Sequence, residues 1–244
     1  MKKRYHLLDG IRGLVLVSMI VYHATWNLVY IYDMDWKWYM GKGAYLWQQS
    51  ICWTFILLSG FCWSMGKKPF KRGIQVFSGG VLVTVVTLLV MPHNRVVFGV
   101  LTLIGSCMLL MIPLQKLFCK VKPEVGLIVS FILFILSRNI NNGYLGFEIW
   151  NILKLPEKWY DNLFTTYVGC PHPSFFSTDY FSLIPWLFLF ITGYFLYEIC
   201  IKNGVLQKAS ITIKIPLFDF LGRHSLLIYL LHQPVLYLGM EVFL

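Results

Sequence analysis

Charge is what this sequence has least of. Only 13% of its residues are Asp, Glu, Lys or Arg, about half the share found in soluble domains, and acids are the scarcer sign, 11 against 21 bases. So few charges cannot clothe a water-facing surface, which excludes a soluble globular protein. No glycine-rich phosphate loop, dinucleotide fingerprint, HEXXH or GxSxG occurs, so the chemistry of soluble nucleotide and serine enzymes is absent too. The six cysteines show no CxxC and no metal-ligand spacing. Cys52, Cys62, Cys107 and Cys200 lie in or beside apolar runs, which implies neither a disulfide framework nor a metal site. There is no internal repeat, low-complexity tract or linker.

What is present is apolar. Hydrophobic residues make up 57% and aromatics 17% of the 244 residues, and the mean hydropathy is +0.65. Runs near the roughly 20-residue spanning length recur throughout. They predict one all-α, polytopic integral membrane domain over residues 1–244, with seven helices near 11–32, 45–66, 74–91, 96–116, 124–140, 181–200 and 222–243. The basic amino terminus resembles a signal peptide, but Asp9 and Arg12 at its entrance, its length and the lack of an A-x-A site make it a retained span. With the amino terminus inside and the carboxyl terminus outside, only Lys37, Lys42, Arg95, Arg138, Lys154 and Lys158 fall outside, and the other fifteen Lys and Arg fall inside. That is the positive-inside distribution. The net charge of +10 suits anionic membrane lipids, and no groove of interleaved aromatics and bases suggests nucleic acid.

A polar stripe climbs the first span. At about 100° and 1.5 Å per residue, Asp9, Arg12, His23 and Asn27 share one face. A helix entering near Arg12 carries His23 about 16 Å deeper, close to the middle of a core about 30 Å thick. A mid-membrane ionisable side chain is a functional candidate by default, and a neutral imidazole can accept a proton. Asp9 and Arg12 also suit cap and boundary roles.

The last span repeats the pattern. Ser225, Tyr229 and His232 are spaced four and three apart, on one face, and Pro234 removes a backbone N–H just beyond His232 and Gln233. Helix–helix glue is the structural alternative. The other histidines, His6, His93 and His224, sit at span ends.

Between Arg138 and Tyr180 runs the one long outer connection. The alternation in GFEIWNILKLPEKWYDNLF predicts a helix lying in the headgroup plane. Next, Pro171 and Pro173 bracket His172 and enforce non-helical backbone. His172 and Asp179 are placed where an outside substrate first meets the protein. On the inner side, MGKKPFKR is first a topology signal, but its Lys68 and Arg72, with Arg4, Arg12 and Arg223, could also grip a phosphate-rich ligand.

These residues carry a resemblance. LLDGIRGLVLVSMIVYHATWNL resembles the opening helix of the heparan-alpha-glucosaminide N-acetyltransferase catalytic-domain family, and FGVLTLIGSCMLL, STDYFSLIPWLFLFITGYFLY and LGRHSLLIYLLHQPVL resemble its later blocks, in order. The Arg-to-His spacing is also similar to that of the broad acyltransferase-3 family. The resemblance implies transfer of an acyl group, typically acetyl, from cytoplasmic acyl-CoA to an acceptor outside, often a sugar amine or hydroxyl. His23 and His232 match its two helix histidines, and Asp179 and Trp186 fall in the block lining the outer entrance. Asn27 stands where many bacterial members carry an acid, and Thr102 where a fourth-helix histidine is expected. The chain resembles the bacterial branch, which implies a multi-pass protein of the bacterial inner membrane and an acceptor other than heparan.

The mechanism read from the residues has His23 as general base, with His232, Asn27 or Tyr229 orienting the acceptor or supporting the oxyanion. An acyl-histidine relay fits equally. No metal is expected, and homodimerisation is left open. The competing class is a transporter or channel that uses the polar seam for a solute or protons, although no inverted repeat or paired broken helices accompany it. A helical scaffold is the third class, and it leaves the histidines unexplained.

Overall fold

The computed structural model describes residues 5–207 and 215–243; Arg4, Lys208 and Lys214 lie outside them. Nine α-helices occur among the described residues: α1 (His6–Tyr30), α2 (Lys42–Phe61), α3 (Pro69–Val90), α4 (Val100–Phe118), α5 (Pro123–Leu136), α6 (Leu163–Val168), α7 (Leu183–Lys202), α8 (Pro216–Arg223) and α9 (Ser225–Phe243). The only sheet described is an antiparallel hairpin of β1 (Tyr144–Phe147) and β2 (Trp150–Lys154). Proline at the first helical position starts α3, α5 and α8, where its missing N–H has no cost.

Among the described residues, six segments are long and apolar enough to cross a membrane: α1, α3, α4, residues 123–142 containing α5, α7 and α9. Each overlaps a span expected from the sequence. The remaining expected span, α2, is 20 residues long, but Lys42, Gln48, Gln49 and Ser50 dilute it, and it is not among the six.

The chain divides into two compact units, residues 1–58 with 200–244, and residues 59–199. In the first, α1 packs on α8 through glycines. A Cβ on Gly13 would lie 2.1 Å from the Phe218 carbonyl oxygen, and one on Gly222 would lie 2.0 Å from that of Asp9. Above this contact Leu16, Met19 and Ile51 form a core with Phe55, Ile228 and Tyr229 around it. In the second unit, α3 meets α4 through Gly80 against Thr102 and Gly105 against Phe77. Small residues let apolar helices approach closely without a hydrophobic driving force. Thr102, at the fourth-helix position where histidine was expected, is buried in that crossing.

The long connection between α5 and α7 departs from expectation. In place of a headgroup-plane helix it forms the β hairpin, a 3-10 turn at Glu157–Trp159 and the six-residue α6. Apolar–polar alternation over a few residues fits a strand as well as a helix, and here β-branched and aromatic residues, with Gly146 at φ +145° and Glu148 at φ +50°, decide for the hairpin. Asn162 then starts α6 with a full capping box. The connection has its own core of Ile140, Leu155 and Cys170, and residues around His172 are non-helical, as the two prolines require. None of the six cysteines is in a disulfide among the described residues.

Candidate active site

The two histidines singled out on α1 and α9 meet. Their ring centroids are 4.9 Å apart, tilted by 54°. A third residue, Gln233, ties them into a network that sequence reading did not assign. Its amide N–H donates to His23 Nδ1 over 3.1 Å, and its carbonyl oxygen accepts from Asn27 Nδ2 over 3.2 Å. Gln233 lies four residues after Tyr229, so the spacing that selected Tyr229 and His232 could have selected it as well.

His232 is held differently. Its Nδ1 contacts the Tyr229 carbonyl oxygen at 2.5 Å, and a carbonyl can only accept, so Nδ1 carries the proton and the neutral ring keeps its lone pair on Nε2. That Nε2 is buried with no partner among the described residues, as is Asn27 Oδ1. Buried polar atoms left unpaired are costly, and two of them beside a histidine pair fit a ligand that supplies the missing bonds. The Tyr229 ring lies 5.2 Å from His232. Ser225, the first residue of α9, sits about 10 Å lower along the helix axis. Despite Pro234, α9 is continuous.

Toward the amino-terminal ends of α1 and α9 lie two basic residues of the first unit, Arg12 and Arg223. Arg12 pairs with Asp9 one turn earlier at 3.4 Å, and Arg223 Nε donates to the Asp219 carbonyl oxygen at 3.1 Å. In the second unit, Lys68 is exposed and caps α3 in a left-handed conformation. The Arg72 guanidinium reaches back over Gly66 and donates to the Trp63 carbonyl oxygen.

The residues of the second unit expected at the substrate entrance separate. His172 lines a cleft of about 440 Å³ with Arg95, Asp161, Asn162, Ser174 and Phe175 among its walls. The Ser174 backbone N–H donates to His172 Nδ1 at 3.2 Å, which leaves Nε2 as the ring's donor in the neutral form. Trp186 is not in that wall. It is buried against Phe134 and Phe181, with the Arg138 guanidinium 4.9 Å from its ring.

Asp179 sits at the amino terminus of α4, its Oδ2 just 3.3 Å from where a Gly99 Cβ would be. Burial pushes its carboxyl up to about 6, opposed by the Val100 N–H. An acid whose folded-state pKa is raised contributes stability that is full below its unfolded value and is lost as pH rises through about 6. Asp179→Asn is therefore expected to gain about 1 to 2 kcal/mol at pH 8 and nothing near pH 4. Thermal unfolding in detergent at the two pH values checks it, and an equal effect at both overturns it.

Long apolar helices with a paired, largely enclosed set of imidazoles and buried polar atoms unpaired among the described residues define a helical membrane protein with an internal polar site. The chain belongs to the heparan-alpha-glucosaminide N-acetyltransferase catalytic family, whose sequence profile matches residues 4–234. No curated protein and no solved structure matches it. The family is one of membrane acetyltransferases, and acetyl-CoA is the co-substrate it implies.

Proposed function

We propose that this protein moves an acyl group, in the first place acetyl, from cytoplasmic acyl-CoA to the amine or hydroxyl of an extracytoplasmic glycan or amino sugar, and that the His23–His232 pair is where transfer occurs. The observation that carries the reading is the buried Nε2 of His232, without a partner among the described residues, on a ring whose centroid is 4.9 Å from that of a second imidazole, within a family of acetyltransferases. As the acceptor's lone pair attacks the thioester carbonyl, its proton passes to the His232 lone pair. The carbon–sulfur bond breaks, and the proton then leaves with the CoA thiol. The sequence reading gave proton acceptance to His23. The hydrogen bonds favour the reverse division, because Gln233 donates to His23 Nδ1 and so leaves His23 Nε2–H as a donor toward the developing oxyanion. Asn27 and Tyr229 complete the surround, Ser225 lies toward the donor end, and His172 and Asp179 serve acceptor entry.

The topology that goes with this reading has the amino terminus inside, the carboxyl terminus outside and α2 as a seventh span, in a multi-pass protein of a bacterial inner membrane. The donor grip falls to Arg4, Arg12, Lys68, Arg72 and Arg223. Arg12, Arg72 and Arg223 already have protein partners, but of the described residues of this set Lys68 and Arg223 are the exposed ones, so Lys68→Gln and Arg223→Gln are the tests. Each is expected to weaken CoA binding several-fold, more so in high salt, since exposed phosphate contacts are screened. Titration calorimetry reads it. Unchanged affinity in both variants removes the donor site from this account.

The decisive experiment incubates purified protein with labelled acetyl-CoA and a panel of amino sugars. Release of CoA with label on the acceptor supports the proposal. Hydrolysis alone, or no turnover with any acceptor, defeats it.

A further inference from the structure

The hairpin on the outer connection is unusual for a strand pair in water. A water-facing antiparallel pair buries one face and wets the other, but β2 is exposed along its full length. Ile149, Trp150, Ile152 and Leu153 are 86%, 70%, 68% and 58% exposed, and they point to both sides of the ribbon. Apolar surface of this kind marks a contact with another protein or with lipid.

Its attachment distinguishes the two. Asn139, just past the end of α5, donates from Nδ2 to the Glu148 carbonyl and to Asn151 Oδ1, both at 2.8 Å, and from its backbone N–H to the Gly146 carbonyl at 3.2 Å. Arg138 pairs with Glu148 at 3.5 Å. These bonds hold the tip of the hairpin against the end of α5. That helix has 14 residues, about 21 Å, and the turns after it extend the same apolar segment to residues 123–142, long enough to cross a core about 30 Å thick. Its exposed Ile128, Ile132 and Leu136 form one i, i+4, i+8 stripe facing lipid. Asn139, and the ribbon bonded to it, lie near the end of this membrane-crossing segment, at the level where the core meets the headgroups.

We propose that the β1–β2 hairpin is an interfacial anchor, with Ile149, Trp150, Ile152 and Leu153 seated at the boundary of headgroups and acyl chains. Tryptophan with a flanking lysine is the composition this layer selects, and Lys154, at the far end of β2, can extend its ammonium to the headgroups while its stem stays apolar. The inference holds whichever leaflet α5 ends in, and it does not rest on the catalytic reading.

Nitroxide labels on Ile149→Cys and Ile152→Cys, with the six native cysteines replaced by alanine, test it in phosphatidylcholine–phosphatidylglycerol vesicles. Ile132→Cys gives the lipid reference and shows that the chain has inserted; Lys158→Cys gives the aqueous one. Both hairpin labels are expected to collide with oxygen as Ile132 does, and with a water-soluble nickel chelate about fivefold less than Lys158 does, as an interfacial segment should. A Lys158-like profile at both overturns the proposal. Protection from both reagents overturns it as well, since the hairpin would then be covered by a second chain.

Discussion

His232→Gln is expected to cut acetyl transfer by about 10²- to 10⁴-fold, the range for loss of a general base, while leaving CoA affinity and expression intact. Glutamine fills the same space and hydrogen-bonds, but it cannot take up a proton at neutral pH. His23 should respond differently. His23→Ala loses a donor aimed at the oxyanion, about 10²- to 10³-fold, whereas His23→Gln restores an N–H and should recover part of that loss. Single-turnover rates with labelled acetyl-CoA, set beside binding of CoA alone, separate chemistry from the donor grip. If instead His23→Gln is as dead as His23→Ala and His232→Gln is mild, the proton goes to His23. The Gln233 amide then presents its oxygen to His23 and its N–H to the Asn27 oxygen, an exchange of oxygen and nitrogen in both amides that leaves the side chains in place. Loss of CoA binding in either variant would move the pair out of the chemistry altogether.

Much of this site was legible because helices convert spacing into direction. Once α1 and α9 are helical, His23 shares a face with Asn27, and His232 with Tyr229, whatever lies around them. That the two faces meet is a tertiary fact, and so is the role of Gln233, whose residue type carries no charge to draw the eye in an apolar run. The span positions were readable from composition, but α8 was not. It has eight residues, with Asp219 and Arg223 among them, and only its packing on α1 makes it a helix of the bundle. Trp186 shows another limit. An aromatic beside a proline marks a boundary, but whether its ring faces a substrate or Phe134 depends on neighbours far away in the chain. The basic cluster is similar, since sequence places Arg72 and only the fold shows its guanidinium lying over Gly66. The hairpin was misread because five residues of β2 are too few to separate a period of two from one of 3.6.

The α1–α8 contact sets the second large effect. Gly13 and Gly222 both lie against backbone, the carbonyl oxygens of Phe218 and Asp9, and backbone cannot swing aside as a long side chain can. Gly13→Ala should therefore separate the helices or strain them, costing about 1 to 3 kcal/mol. Alanine's better helix propensity returns about 1 kcal/mol at most. Adding Gly222→Ala should cost less than the sum of the two, because one displacement relieves both clashes. Gly43→Ala is the control, since a Cβ there meets nothing within 4 Å, and it should be neutral or stabilising. Activity should fall with Gly13→Ala as well. The same α8 leads through His224 directly into α9, so a shift at Phe218 is passed to the helix that carries His232 and Gln233. Detergent melting curves and transfer rates for the three variants test both halves. A Gly13→Ala protein as stable as Gly43→Ala would mean that α8 does not pack on α1 there. One that is destabilised yet fully active would mean that the pairing of His23 with His232 is set by α1 and α9 alone.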